Sequence, residues 1–166
     1  MKARIEYTRL GPQAMQSLLA LQGVIDNCGL DEKLLHLVKL RASQMNGCAH
    51  CIDMHSKDAR AAGDTEQRLY GLNAWHETPY YTERERAALE WTEAVTLVAS
   101  THVPDHVYQA VRAQFSEGEI ANLTLAVSMI NAWNRLAISL RAVPGDYKPG
   151  MYRVARQAAS GAGVAS

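Results

Sequence analysis

Helix start and stop signals recur along this chain of 166 residues and constrain its fold more than any other feature. Thr82 and Ser116 are each followed three residues later by a glutamate, which is the capping-box pattern of a helix start. Asp31 and the pair Gly11-Pro12 are typical of two further starts, and Gly47 is typical of a stop. Because the chain has no sustained alternation of apolar and polar residues, strands are not expected. The sequence therefore predicts an all-α fold of about six or seven helices.

These signals divide the chain into one domain and a tail. We expect a single helical domain over residues 1–143, which is long enough to bury a core of its own. Residues 144–166 contain prolines, glycines and a run of small residues, and we expect this tail to be mobile or docked on a partner. The predicted helices begin near Pro12, Asp31, Cys48, Thr65, Thr82, Pro104 and Ser116.

Composition excludes several classes of protein. Lysine plus arginine equals aspartate plus glutamate at 17 each, so the formal net charge is +0, which argues against nucleic-acid binding. No apolar run approaches the ~18 residues of a membrane span, and the first residues lack the apolar segment of a secretory signal. We therefore expect a cytoplasmic protein. In that reducing compartment its three cysteines are better interpreted as catalytic or metal-binding than as structural disulfides, although Cys28 reads as a small core residue.

The segment from Cys48 to His55 carries the clearest chemical signal. If a helix begins at Cys48, then Cys48, Cys51 and His55 share one stripe, because they stand at positions i, i+3 and i+7. Two thiols at this spacing can close a disulfide, and a neighbouring imidazole can accept a proton. Unpaired N–H groups at a helix N-terminus favour a thiolate. The pattern therefore predicts a redox site.

The sequence also resembles a known family. The run from Leu37 to Cys51 followed by His55, together with the run from Ile130 to Ala137, is similar to the alkyl hydroperoxidase D (AhpD)-like branch of the carboxymuconolactone decarboxylase superfamily. The resemblance covers about residues 10 to 142. It implies an all-helical bundle, a homo-oligomer that is a trimer or hexamer, and an antioxidant enzyme that reduces hydroperoxides or exchanges disulfides.

The same resemblance implies a role for each site residue. Cys51 would attack the peroxide and become a sulfenic acid, Cys48 would resolve it as a Cys48–Cys51 disulfide, and His55 would relay the proton. No cofactor or metal is expected. A lipoyl-bearing or thioredoxin-type partner would reduce the disulfide, and the natural oxidant is left open.

One position departs from the family pattern. The family's proton relay usually begins with a glutamate twelve residues before the first cysteine, where this chain has His36. Glu32 lies one helical turn before His36, and we hypothesise that the pair Glu32–His36 replaces the single glutamate. The alternative is that His36 is a tolerated, partly buried histidine in a weaker relay. His50, inside the CxxC motif, is a further candidate because an imidazole there could lower a thiol pKa.

Two other functions fit the same residues. Cys48, Cys51, His55 and His36 could form a Cys₂His₂ zinc set, although zinc would silence the thiols. Alternatively, the CxxC could act as a redox sensor that changes an oligomer interface without turnover.

Overall fold

The two capping boxes that the sequence predicts are formed at the starts of two helices. In the computed structural model, which describes residues 2–6 and 11–152, the Thr82 hydroxyl accepts a hydrogen bond from the Glu85 N–H at 3.3 Å. The Glu85 carboxylate in turn accepts from the Thr82 N–H at 2.8 Å. Ser116 and Glu119 form the same reciprocal pair at the start of the last helix. These bonds satisfy N–H groups that a helix start otherwise leaves unpaired, and so they fix where the two helices begin.

The described residues form eight α-helices and one 3₁₀-helix, with no strand among them, so the all-α prediction is confirmed. The α-helices are α1 (Pro12–Asp26), α2 (Glu32–Asn46), α3 (Ala49–Ala61), α4 (Glu66–Gly71), α5 (Glu83–Thr96), α6 (Val98–Thr101), α7 (Asp105–Gln114) and α8 (Glu117–Leu140); the 3₁₀-helix is Leu72–Glu77.

The helix count exceeds the expected six or seven because one predicted helix is interrupted. The sequence predicts one helix from Thr82 to about Ser100, but α5 ends at Thr96 and α6 follows after Leu97. The Thr101 hydroxyl donates to the Ala94 carbonyl at 2.7 Å, which gives that carbonyl a partner other than the next helical N–H. The chain then leaves the helix at His102 in a left-handed conformation, with φ 49°.

Helix α2 lies at the centre of the fold and packs against α3, α5 and α8. Its apolar side chains pack into two different clusters of the core, and Leu37 and Val38, one in each cluster, have no exposed surface. Burial of such side chains contributes about 1.5–3 kcal/mol each to folding. Because α3 packs on both α2 and α8, Cys48 and Cys51 near its start are buried, although Ala49 between them is exposed.

The first part of the predicted tail folds back onto α3. The Lys57 ammonium donates to the carbonyls of Gly145 and Tyr147 at 2.9 and 3.1 Å, and the Asp53 carboxylate accepts from the Gly145 N–H at 3.1 Å. Tyr147 is buried. The remainder of the tail, 153–166, lies outside the described residues. Within the described ranges, no helix combines the length and the apolar character needed to cross a bilayer.

Candidate active site

The turn between α2 and α3 places Cys48 at a helix start. Gly47 adopts φ 68°, the left-handed conformation that ends α2, and the Cys48 N–H then donates to the Ser43 carbonyl at 3.0 Å. Cys48 is thereby the N-cap residue of α3, and its Sγ accepts a hydrogen bond from the Cys51 N–H at 3.4 Å. A sulfur in this position can accept hydrogen bonds from the unpaired N–H groups of the helix start. The positive end of the helix dipole also stabilises a negative charge there.

The two thiols have opposite acidities. The pKa of Cys48 is lowered to about 7, because the Cys51 thiol donates a hydrogen bond to its sulfur, with further help from helix-start N–H groups and the Asn134 amide. The pKa of Cys51 is raised, because the same hydrogen bond holds its proton and because burial and the Cys48 charge oppose a second thiolate. Above about pH 7 the pair therefore holds one negative charge, on Cys48, and one proton, on Cys51.

A cavity of about 990 Å³ lies beside the thiols, between α1, α2, α3, α8 and the folded-back tail segment. Cys51, although buried, is one of its lining residues, whereas Cys48 is not. Apolar side chains form much of the remaining wall: Met15, Leu19, Leu30, Leu35, Met54, Trp133 and Ala137. Of the two sulfurs, Cys51 is thus the one that a molecule in the cavity would meet.

His55 lies one turn beyond Cys51 on α3 and also lines the cavity. Its side chain is 9% exposed, and neither ring nitrogen has a hydrogen-bond partner in the described part of the chain, so it is not bonded to Cys51. Burial lowers the pKa of His55 well below its usual value, and the positive charge of Lys39 adds to this effect. The ring is therefore neutral near pH 7 and able to accept a proton or a metal ion.

His36 reaches the same part of the cavity from α2. Its Nε2 lies 3.5 Å from the Glu32 carboxylate, so the two residues adjoin as the sequence predicts. Its pKa is lowered, first by burial and then by the charge of Lys39. His36, His55 and Asp58 form a cluster in which one ligand atom from each lies within 4.8 Å of the others.

His50 lines the cavity too, but its Nδ1 lies 3.1 Å from the Val143 carbonyl rather than beside a cysteine sulfur. The structure thus brings Cys51, His55, His36 and His50 to one cavity, places Cys48 beside Cys51, and sets Glu32 against His36.

Three residues of the site are missing from the sequence prediction. Asp58 lies one turn beyond His55, with 3.9 Å between its Oδ2 and the His55 Nδ1. Asn134 donates to the Ser43 hydroxyl at 3.1 Å and supports the thiols from α8. Tyr147, from the predicted tail, donates to the Asp58 carboxylate at 2.8 Å. Asp58 could have been inferred from its spacing to His55, and Asn134 stands in the second family-like run.

The zinc set that the sequence allows is not assembled in this structure. In the described ranges, the group of side chains close enough to hold a metal ion comprises His36, His55 and Asp58 and contains neither cysteine. The CxxC pair and the histidine–aspartate cluster are therefore adjacent but separate features of the cavity.

Known proteins that are similar in sequence and fold support one family assignment. The model of the carboxymuconolactone decarboxylase family matches residues 12–94. YdfG, an uncharacterized protein of Bacillus subtilis, is 41% identical over 140 residues, which cover 84% of this chain and 95% of YdfG. A protein of unknown function from Agrobacterium tumefaciens, whose name proposes an AhpD role in antioxidant defence, is 43% identical with a TM-score of 0.86; the match covers 88% of this chain and all of that one.

A more distant structure extends the likeness of fold. An uncharacterized peroxidase-related protein from Silicibacter sp. TM1040 is 19% identical with a TM-score of 0.74, and the match covers 86% of this chain and 76% of that one. At this identity the likeness concerns the helical fold alone. From the family match and the two close relatives, this chain belongs to the carboxymuconolactone decarboxylase family, in its AhpD-like branch.

Proposed function

We propose that this protein is a thiol-dependent peroxidase that reduces hydroperoxides through its CxxC pair. The observation that carries the proposal is the arrangement of the two sulfurs: Cys51 faces a cavity large enough for an organic substrate, and Cys48 lies beside it as a stabilised thiolate. A cysteine at the wall of a substrate-sized cavity, with a second sulfur one turn away, is the arrangement that peroxide reduction to a disulfide requires.

The chemistry follows from where the proton is held. The Cys51 proton passes along the existing hydrogen bond to the Cys48 sulfur, and the Cys51 thiolate attacks the outer peroxide oxygen. The O–O bond breaks, which leaves a Cys51 sulfenic acid and an alkoxide. The alkoxide takes the proton from Cys48 and leaves as the alcohol. Cys48 then attacks the sulfenic sulfur, which forms the disulfide and releases hydroxide.

His55 and His36 serve the proton transfers of this cycle. The neutral His55 ring lies in the cavity wall one turn from Cys51 and would relay the Cys48 proton to the leaving alkoxide. His36 would pass protons between His55 and the Glu32 carboxylate, which lies at its far nitrogen. His50 borders the same space but contacts the tail segment, so we assign it no proton-transfer role.

The cycle needs a partner to restore the thiols, and we propose a lipoyl-bearing or thioredoxin-type reductant in the cytoplasm.

We also propose that the chain forms a homo-oligomer, a trimer or hexamer. Helix α1 exposes Leu21 and Val24, at 41% and 66% of their surfaces, and a second copy would cover them.

A thiol titration tests the proposal. Reduced protein carries three thiols, and we expect one equivalent of an organic hydroperoxide to leave one thiol and remove about two mass units, for the two hydrogen atoms lost on disulfide formation. The Cys28→Ser variant should fall from two thiols to none, because Cys28 takes no part. The Cys51→Ser variant should retain both of its thiols under the same treatment. Full retention of three thiols in the unmodified protein would refute the proposed peroxidase function.

A further inference from the structure

The cluster of His36, His55 and Asp58 has the dimensions of a metal site. One ligand atom from each residue lies within 4.8 Å of the others, and His55 Nδ1 and Asp58 Oδ2 are 3.9 Å apart. Two ligands of a tetrahedral zinc ion at about 2.0–2.1 Å would lie roughly 3.4 Å from each other. Small side-chain movements would therefore bring all three onto one ion.

The two histidine rings of the cluster carry buried nitrogens without hydrogen-bond partners among the described residues. His55 is more than nine-tenths buried, yet neither Nδ1 nor Nε2 has a hydrogen-bond partner among the described residues. The same holds for His36 Nδ1. Buried polar atoms of folded proteins are nearly always paired, so an unpaired nitrogen on each of two adjoining rings points to a ligand that the two rings share.

The surroundings of the cluster resemble the outer shell of a metal site. Histidine ligands usually direct their second nitrogen at a carboxylate; His36 Nε2 lies 3.5 Å from Glu32, and Nδ1 is then the nitrogen available to an ion. The Asp58 carboxylate is held by the Tyr147 hydroxyl at 2.8 Å and by the Gly150 N–H at 3.3 Å. Both ligand types are thus oriented by partners that lie outside the cluster.

Charge in the cluster suits a cation. Glu32 and Asp58 contribute two carboxylates beside the two imidazoles. The nearby Lys39 ammonium is engaged by the Asp26 carboxylate at 2.5 Å, which offsets its charge. Two imidazoles and one carboxylate are a donor set for a first-row divalent ion such as zinc, rather than for calcium or magnesium, which prefer oxygen ligands.

We propose that His36, His55 and Asp58 bind a divalent transition-metal ion of the zinc class, with the CxxC sulfurs outside its ligand set. Three protein ligands leave a fourth position for water or a small ligand from the cavity. Binding of the ion itself is independent of the peroxidase proposal. One consequence does rest on that proposal: an ion on the His55 nitrogen would withdraw the base and slow peroxide reduction.

Calorimetric titration of the full-length chain with zinc chloride tests the site, after dialysis against a chelator. A background without thiols (Cys28→Ser, Cys48→Ser and Cys51→Ser) removes the competing sulfur ligands and has no peroxidase chemistry, so failure here is distinct from failure of the thiol titration. We expect one ion per chain in this background. In the reduced, unmodified chain, cobalt should give a visible spectrum without the sulfur-to-cobalt charge-transfer band.

Variants in the same background assign the ligands. His36→Ala and Asp58→Ala should each abolish binding in the titration, and Tyr147→Phe should weaken it about 10- to 100-fold through loss of the outer-shell bond. His50→Ala should leave binding unchanged, because His50 lines the same cavity outside the cluster. Absence of binding without the thiols, or unchanged affinity in His36→Ala and Tyr147→Phe, would overturn the proposal.

Discussion

At the scale of single residues, the acidity of Cys48 depends chiefly on its neighbour. The hydrogen bond from the Cys51 thiol is the largest cause of the lowered pKa of Cys48, and the helix-start N–H groups contribute less. A CxxC motif at a helix start therefore does not by itself explain the thiolate, because part of the effect requires a second thiol whose proton faces the first sulfur.

The Cys51→Ala substitution should expose this dependence. Without the Cys51 thiol, we expect the pKa of Cys48 to rise from about 7 toward the ordinary value of a cysteine. The ultraviolet absorbance of the thiolate, followed against pH, measures it. Cys28→Ala serves as the matched control and should leave the titration near pH 7 unchanged. If Cys51→Ala titrates where the unmodified protein does, the helix start alone sets the acidity.

The spacing of the motif predicts which residues share the site, but not the chemistry of each one. Cys51 and His55 fall on one stripe and line one cavity because helical geometry fixes their positions relative to each other. The contact between Asp58 and Tyr147 joins residues 89 positions apart, and no local pattern encodes it. The ionisation order of the two thiols depends on burial and on which thiol donates to the other, with a smaller contribution from the Asn134 amide on α8, and the spacing alone does not encode these.

At the scale of elements, α3 has two roles: it carries the thiols and it binds the segment 143–150. Its start carries the thiols, while Asp53 and Lys57 on its next turns hold the segment 143–150, part of which lines the cavity. The sequence predicts the helix ends well, because caps are local. It does not predict the break at Leu97 or the return of the tail to α3, since both depend on contacts formed after the helices pack.

Removing the Asp53 carboxylate should loosen the segment 143–150. In Asp53→Ala the Gly145 N–H loses its acceptor at 3.1 Å, and Lys57 loses the partner that positions it at 2.9 Å. Because a hydrogen bond to a charged group contributes about 1.5–3 kcal/mol, the Gly145 amide should exchange with solvent roughly tenfold faster or more. Amide exchange followed by NMR measures this rate.

A matched change in the same segment is the control for that experiment. Asp146 is exposed, and Asp146→Ala should leave the exchange of Gly145 as it was. Equal protection of Gly145 in Asp53→Ala and in the unmodified protein would contradict the role given to α3 in holding the segment.

At the scale of the whole molecule, the site lowers stability in acid. The native state holds His36 and His55 with pKa values below the ordinary 6.5, so the unfolded chain binds protons there that the native chain does not. Stability rises with pH wherever the unfolded state binds more protons. These two residues therefore leave the free energy of unfolding nearly unchanged above about pH 6.5, and they lower it progressively as the pH falls below that value.

The free energy of unfolding should consequently decrease below pH 6.5, and each of the two histidines should add at most about 1.4 kcal/mol per pH unit to the slope. Urea unfolding between pH 7.5 and 5, with a chelator present to exclude metal binding, gives this slope. His55→Gln should make it shallower, because glutamine does not titrate, whereas the exposed His106→Gln should not change it. A slope that is the same in all three proteins would mean that the buried imidazoles do not limit stability in acid.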